Sequence, residues 1–543
     1  YKVLSDYLNA NKFVKVAIFL KTHEMIEEFV SAMNENIDDY NAKQASGFAG
    51  LRTRIGYKHR AHIIKGQKML CHQFKNDKIS EADINSMGTA ICNDCFYNFD
   101  ESCNYLNQFQ EYMGVLGNVR IYTHNRLFKK SKKDKGFKAD YVIVDEDIVS
   151  MMTDVSEALL TIKESEHSSL TAIIASVTDG NTLLDASVAV SVQLKHDYEA
   201  VEERLEEIKD KISKLYARSN GASVFSAQSN MSKLDNLLST QKTKKKELAL
   251  LEELMHLSCG NKLQSKNVWI QQRENNAVRL TYGKTKQILS EYKNVSMLYL
   301  DASGEQIVID TLFDKCFEIE HLRVVQQSNA KVYQISNHSF SKSSFADDSE
   351  SKKIDSLCDY VDTLSTKKCG LIRYNRINNN KQFFKKLDDK INTINGDDNC
   401  IGWFGNVRGI NRFESCDTLI VLGQHRIADY GIFNLSQLIF REDIADAKQQ
   451  FEEVCYSKYL AKELMTKVYR MKDGEHREIE QYEYATAECR YTSNHFDKAE
   501  TYQALHRLRL LHGDDDKQLL IFTDAVLDIS IDALLDKNKE LGE

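Results

Sequence analysis

Val142-Ile143-Val144-Asp145-Glu146 is an apolar run that stops on two carboxylates. Phosphoryl transfer uses such a pair: an Asp to hold Mg2+, directly or through water, and a neighbouring Glu to orient and deprotonate the attacking water. The same pattern also serves as an ordinary strand end. Towards the C-terminus, Gln503-Ala504-Leu505-His506-Arg507-Leu508-Arg509 reads as helical. Gln503 and Arg507, four residues apart, share one helical face. Arg507 or Arg509 offers a guanidinium to neutralise charge on a transferring phosphate, a solvent-facing arginine pair being the alternative.

A phosphate-cradling Gly-x4-Gly-Lys-Ser/Thr loop would complete a nucleotide site. Gly283-Lys284-Thr285 is not that loop, because Val278 holds the place of the first Gly and the triplet precedes a strand run instead of following one. Four thiols cluster as Cys71-x20-Cys92-x2-Cys95-x7-Cys103, while the remaining Cys residues are scattered. Clustered thiolates suit a structural Zn2+ or an iron–sulfur group, and spacing alone favours zinc. Arg126–Lys138, which includes Lys129 and Lys130, holds six Lys and one Arg. Such a run is a solvated loop or, placed just before a strand, a phosphate contact.

These residues must be held by secondary structure. Eight β-branched apolar runs end in polar residues: Lys15–Leu20, Val119–Asn125, Tyr141–Asp145, Met297–Ser303, Lys331–Ile335, Gly370–Tyr374, Thr418–Gln424 and Gln518–Asp524. Continuous apolarity marks strands covered on both faces, as in a parallel sheet between helices such as Glu24–Met33 and Lys498–Leu511. Ligands bind at the carboxyl ends of such strands, here Thr22-His23, Thr123-His124-Asn125, Asp145-Glu146-Asp147 and Asp301-Ala302-Ser303. Two stretches interrupt the alternation: a Cys-bearing one near 50–117 and a helical one near 154–272. In the latter, Val201, Leu205, Ile208, Ile212 and Leu215 form a heptad seam, followed by a polar tip and Leu234, Leu238, Leu248, Leu251 and Leu254. That pattern predicts an antiparallel helical hairpin projecting from the body or, as its alternative on periodicity, an ordinary two-helix domain packed on the core.

Composition narrows the class. The chain has 543 residues, 42% of them hydrophobic and 28% charged, which argues for several folded domains rather than disorder. No run reaches the ~20 apolar residues of a membrane helix, and no secretory signal opens the chain. The net charge of −8 leaves room for a nucleic-acid surface only as a local groove. There is no Pro, against roughly 27 at average usage of ~5%, so turns are read from other residues and spacings to within one position.

Taken in order, the pieces resemble the superfamily 2 DNA helicases with an iron–sulfur domain, the XPD/DinG type. Lys21-Thr22-His23 looks like motif Ia, and the four-Cys insert follows it. Thr123-His124-Asn125-Arg126-Leu127-Phe128 is similar to the segment ahead of Walker B, and Asp145-Glu146 looks like motif II. The 154–272 insert stands where that family carries its arch. Leu300-Asp301-Ala302-Ser303 resembles motif III, Arg408-Gly409-Ile410-Asn411 motif V, and Gln503 to Arg509 motif VI. The chain differs in reading Asp147-Ile148 where the family has Ala-His after motif II, and in its second motif VI Arg lying two residues after Arg507.

The resemblance implies an α/β fold of two RecA-like parallel-sheet lobes. Lobe 1 would comprise 1–50, 118–153 and 273–325, the Cys-rich metal-binding insert 51–117, the arch-like helical insert 154–272, and lobe 2 residues 326–543. It implies an ATP-dependent DNA helicase moving 5′→3′ on single-stranded and forked DNA, cytoplasmic, with prokaryotic or phage origin favoured over nuclear. ATP and Mg2+ would meet Asp145, Glu146, Gln503, Arg507 and Arg509, with Arg408, Gly409 and Asn411 also on the nucleotide. DNA would contact Thr22, His23, Thr123, His124, Asn125, Lys129 and Lys130. Cys71, Cys92, Cys95 and Cys103 would hold a [4Fe-4S] cluster, with Zn2+ as the alternative. The phosphate loop is expected before Tyr1. The rival expectation is a zinc-stabilised nucleic-acid-binding scaffold without catalysis.

Overall fold

The structure is a computed structural model. It describes residues 14–21, 25–35, 61–64, 119–129, 137–153, 159–162, 166–219, 224–261, 267–272, 278–301, 304–313, 317–318, 330–338, 340–346, 352–377, 382–396, 400–407, 412–440, 462–508, 516–527 and 529–537, with single residues 23, 70, 320, 380 and 541. The chain divides into two units, the first ending at Asp301 (with Arg441–Lys458 added) and the second comprising Ala302–Phe440 and Tyr459–Glu543.

In the first unit, β1 (Val16–Leu20), β2 (Ala61–Ile63), β3 (Val119–Thr123), β4 (Tyr141–Asp145) and β8 (Ser296–Leu300) form one sheet in the order β2-β3-β1-β4-β8. Every pairing in it is parallel. The central runs β1 and β3 fold this way because both their faces are covered. On one face Val16, Ile18, Leu20, Val119 and Ile121 pack against Ile26 and Met33 of helix α1 (25–35). That helix forms because Ile26, Phe29, Val30 and Met33 recur at helical spacing and make one apolar stripe. On the other face the Phe19 ring stacks on Tyr122 at 5.3 Å and meets Tyr292 edge-on at 4.9 Å.

A short helix α2 (Val149–Met152) follows β4. The helical insert then contains α3 (Ser168–Thr178), α4 (Leu183–Ala189) and the long pair α5 (Ser191–Ser219) and α6 (Val224–Ser258). Four residues of the expected seam are buried, Val201, Leu205, Ile208 and Ile212 each at most 8% exposed, and Leu215 is half-buried. Val201 and Leu205 pack with Leu250, Leu251 and Leu254, while Ile208 and Ile212 meet Leu234. The insert also has an antiparallel sheet of β5 (Leu159–Ile162), β6 (Val268–Gln272) and, past the expected boundary at 272, β7 (Val278–Gly283), in the order β5-β7-β6. Gly283 pairs with Leu159 at the end of an antiparallel strand, so the Gly-Lys-Thr triplet does not open a helix.

The second unit begins with α7 (Gln306–Phe313), which the sequence boundary assigns to lobe 1. It joins this unit because the Glu305 amide donates to His495 Nδ1 at 3.1 Å. The sheet comprises β9 (Lys331–Ile335), β10 (Cys369–Arg373), β11 (Ile401–Trp403), β12 (Thr418–Leu422), β15 (Gln518–Phe522) and β17 (Ala533–Leu535) in the parallel order β11-β10-β12-β15-β9-β17. Leu371, Ile420, Leu422 and Phe522 face helices α8 (Lys352–Thr363) and α9 (Lys385–Asn395), which contribute Leu357, Leu387 and Ile391. The opposite face, Val332, Ile372, Val421 and Ile521, packs with Ala504, Leu505 and Leu508.

Buried Arg373 on β10 donates from Nε to Asp388 Oδ1 (2.7 Å) and from Nη1 to the Tyr374 carbonyl (2.7 Å), and Nη2 completes a fork on the same carboxylate. After helix α10 (Asp429–Phe440) the unit carries an antiparallel hairpin, β13 (Lys462–Met471) and β14 (His476–Tyr484), with β16 (Ser530–Ile531) alongside β13. The α/β class with one parallel sheet in each unit and a helical insert in the first is therefore what the sequence implied. The four-Cys insert lies outside the described residues. Among the described residues no helix is long and apolar enough to cross a membrane.

Candidate active site

Parallel register brings the carboxyl ends of four strands of the first unit into line. Leu20 pairs with Thr123, Phe19 with Val144, and Asp145 with Leu300. The residues that follow, Lys21, His23, His124, Glu146 and Asp301, therefore collect along one edge of the sheet. Asp145 is partly buried, and its carboxyl pKa rises from 3.8 to about 6. Burial is the first cause, and the negative charges of Glu146 and Asp301 add to it.

Glu146 adopts a left-handed backbone, φ +66°. A non-glycine residue there is sterically costly and persists only where its surroundings fix it. Its amide still donates to the Leu300 carbonyl at 2.9 Å, and its Oε2 is buried with no hydrogen-bond partner. The turn continues under similar control. Asp147 is 3% exposed and its Oδ1 accepts the Val149 amide at 2.7 Å, capping α2. The Ile148 amide donates to the Tyr299 hydroxyl at 3.3 Å, and that hydroxyl donates to Asp301 Oδ2 at 3.4 Å. Burial, then the charges of Asp147 and Asp301, raise the Tyr299 phenol well above its ordinary pKa, so it stays a donor.

His124 is expected from the resemblance at a nucleic-acid surface. Its side chain is instead 1% exposed, with Nε2 2.7 Å from the Asp145 carbonyl. Burial lowers its pKa to about 4, so the ring is neutral at physiological pH. The next residue, Asn125, is exposed, as is Lys129, whose carbonyl accepts from Arg126 Nη1 at 3.1 Å. Thr123 and His23 are half-buried. Thr22 and Lys130 lie outside the described residues, as do Arg408, Gly409, Asn411 and Arg509. So do Cys71, Cys92, Cys95 and Cys103.

In the second unit, Gln503 sits on α12 (Ala499–Leu505), preceded by α11 (Ala487–Ser493) and a π-helical turn Asn494–Lys498. Arg507 follows in a 3-10 turn, His506–Leu508. This helical block is tied to the carboxyl ends of two strands. Asp497 Oδ1 accepts the Ile427 amide at 2.7 Å, Thr501 Oγ1 accepts the His425 amide at 3.2 Å, and Glu500 Oε2 accepts the Gly405 amide at 3.2 Å. Gln503 Oε1 is buried without a hydrogen-bond partner. Asp497 and Glu500 carry no sequence signal of their own. A π turn is the local feature that marks this segment, and such turns are frequent at functional sites.

Among the described residues no set of three or more His, Cys, Asp or Glu side chains is arranged to hold a metal ion. Mg2+ at a nucleotide needs no such cage, since one or two carboxylates and the phosphates suffice. Asp145, its proton held first by burial and then by the charges of Glu146 and Asp301, and Glu146, with a buried bare oxygen, fit that chemistry. The same geometry has a pH consequence. Between 3.8 and about 6 the folded chain keeps a proton at Asp145 that the unfolded chain has released. Stability from this group therefore falls as pH rises through that window and is lowest above it. A divalent cation should relieve the strain only where the carboxylate is charged. Mg2+ is expected to raise the melting midpoint more at about pH 7.5 than at about pH 5, by thermal-shift measurement, and Asp145→Asn to remove the difference.

No family model matches the chain, and no curated protein matches it. Eight chains of solved structures match. One, an XPD helicase, aligns over 96% of this chain and 95% of its own at 10% identity, with a TM-score of 0.39. A score of 0.39 is too low to carry an argument, so the α/β class rests on the sheet topology alone.

Proposed function

We propose that the chain is the motor of an ATP-driven DNA helicase or translocase acting on single-stranded and forked DNA. The observation that carries this reading is the Asp145–Glu146 pair at the carboxyl end of a central parallel strand, one carboxyl charge-strained and the other held in a left-handed turn. Asp145 would hold Mg2+, which when bound supplies neutralising charge to the phosphates. Glu146 would accept a proton from water as the water oxygen attacks the γ-phosphorus and the bond to the β–γ bridging oxygen breaks. Arg507, with Arg509 as alternate, is assigned to charge neutralisation on the transferred group, and Gln503 to an uncharged amide hydrogen bond at it. Asn125, Lys129, Lys130, Thr22 and His23 are assigned to the DNA backbone.

Polarity 5′→3′ and the four-Cys site belong to the same reading. For the thiols, protein isolated without oxygen is expected to be brown and to release acid-labile sulfide. A colourless, zinc-bearing preparation would replace the cluster with the structural alternative. The motor itself is tested by ATP turnover of the complete gene product with and without single-stranded DNA. Stimulation by DNA supports the motor, and no turnover under either condition would leave a nucleic-acid-binding scaffold.

A further inference from the structure

The sheet order puts β1 between β3 and β4, so the residues after β3 and those after β4 do not pair with each other. Pairing of β4 with β1 ends at Phe19 and Val144, and the Asp145 carbonyl lies past that last rung. A carbonyl left beyond the ladder there is satisfied by a donor from elsewhere. His124 supplies it from beyond β3, reaching across the end of β1 with Nε2 at 2.7 Å. Because a carbonyl only accepts, the ring hydrogen sits on Nε2. Nδ1 is buried with no hydrogen-bond partner. The bond from Nε2 is to the peptide leading from Asp145 into the left-handed Glu146, and the ring also lies against the Phe19 backbone at the end of β1.

We propose that His124 is a positioning residue for the acidic pair: by holding the Asp145 carbonyl it fixes the left-handed turn at Glu146 and the aim of both carboxylates. The turn is pinned on its other side by the Glu146 amide on Leu300 and the Asp147 cap on α2. His124 anchors the side that precedes Glu146. It also joins the acidic pair to exposed Asn125, the next residue in the chain. This inference rests on the assignment of Asp145 as the cation-holding carboxylate.

The test uses Mn2+ as the probe, bound to the complete protein without nucleotide and followed by electron paramagnetic resonance. His124→Phe fills the space and removes the donor, whereas His124→Gln can still reach the carbonyl with an amide hydrogen. Outer-sphere hydrogen-bond partners of metal ligands are worth 10–100-fold in affinity. His124→Phe is therefore expected to weaken Mn2+ binding about 10-fold, and His124→Gln to stay within about twofold of the parent. Equal binding by all three, or a glutamine variant as weak as the phenylalanine one, overturns the proposal.

If the phenylalanine variant does not fold, 15N spectra of labelled histidine in the parent decide, with His124→Gln providing the assignment. A ring protonated at Nε2 is expected, and one protonated at Nδ1 overturns the proposal. Mn2+ binding indifferent to Asp145→Asn would instead overturn the cation assignment, a result distinguishable from failure of the histidine's role.

Discussion

Glu146→Gln is expected to lower DNA-stimulated ATP turnover by about 10^2–10^4-fold, the usual worth of a positioned general base. The substitution keeps the shape of the side chain and changes nothing that holds the turn, since the Glu146 amide still reaches the Leu300 carbonyl. Gln meets the same left-handed backbone as Glu, so the fold should be unaffected. Loss of turnover with unchanged melting would place the defect in proton transfer. Steady-state phosphate release reads the first quantity and thermal unfolding the second. A variant that keeps more than about a tenth of parental turnover would remove Glu146 from the base role.

The second large effect concerns stability. Asp388→Ala should destabilise the second unit by about 3–5 kcal/mol, because it leaves a buried guanidinium without its counter-charge. Arg373 has 8% side-chain exposure, and both its Nε and Nη2 rest on this carboxylate. The Tyr374 carbonyl and the Phe384 ring, 4.9 Å from the guanidinium, remain but carry no net charge. Replacing both partners together, Arg373→Met with Asp388→Leu, should recover most of the loss, since well-packed apolar pairs often equal a buried ion pair. Urea unfolding followed by fluorescence near Trp403 measures both. A double variant as unstable as the single one would show that the fork contributes more than charge compensation.

All eight sequence-read strands exist in the structure; most carry the continuous apolarity of strands covered on both faces, whereas β8 leaves Leu298 and Leu300 exposed. The heptad seam of α5 and α6 was equally plain. The antiparallel elements were not. The runs Val278–Gly283 and Lys462–Met471 mix apolar and charged residues, and Lys467, Arg470 and Glu463 hide a two-residue alternation that only pairing with another strand makes legible. The acidic pair was visible as two adjacent carboxylates. Its left-handed backbone was not, since nothing in a Glu forecasts positive φ.

The role of His124 was concealed for a related reason. A histidine beside Thr and Asn reads as a surface polar cluster, and only the sheet order shows that its ring lies over the end of β1 and on the next strand but one. Lys498–Leu511 read as one helix, whereas the chain passes through π, α and 3-10 geometry from Asn494 to Leu508. Hydrogen bonds to Gly405, His425 and Ile427, all distant in sequence, accompany these changes of pitch.

The parallel neighbours β4 and β8 are separated in the chain by the whole helical insert, yet β5 and β7 at the roots of that insert pair with each other. An insert with its own apolar centre can assemble early and draw the two sheet strands together. Only the short connections on either side then remain to be closed, which lowers the closure entropy of the first unit by roughly 1.5 kcal/mol at ~0.6 kcal/mol per halving of free length. Synthesis order favours the same sequence of events: the excursion is complete before β8 leaves the ribosome.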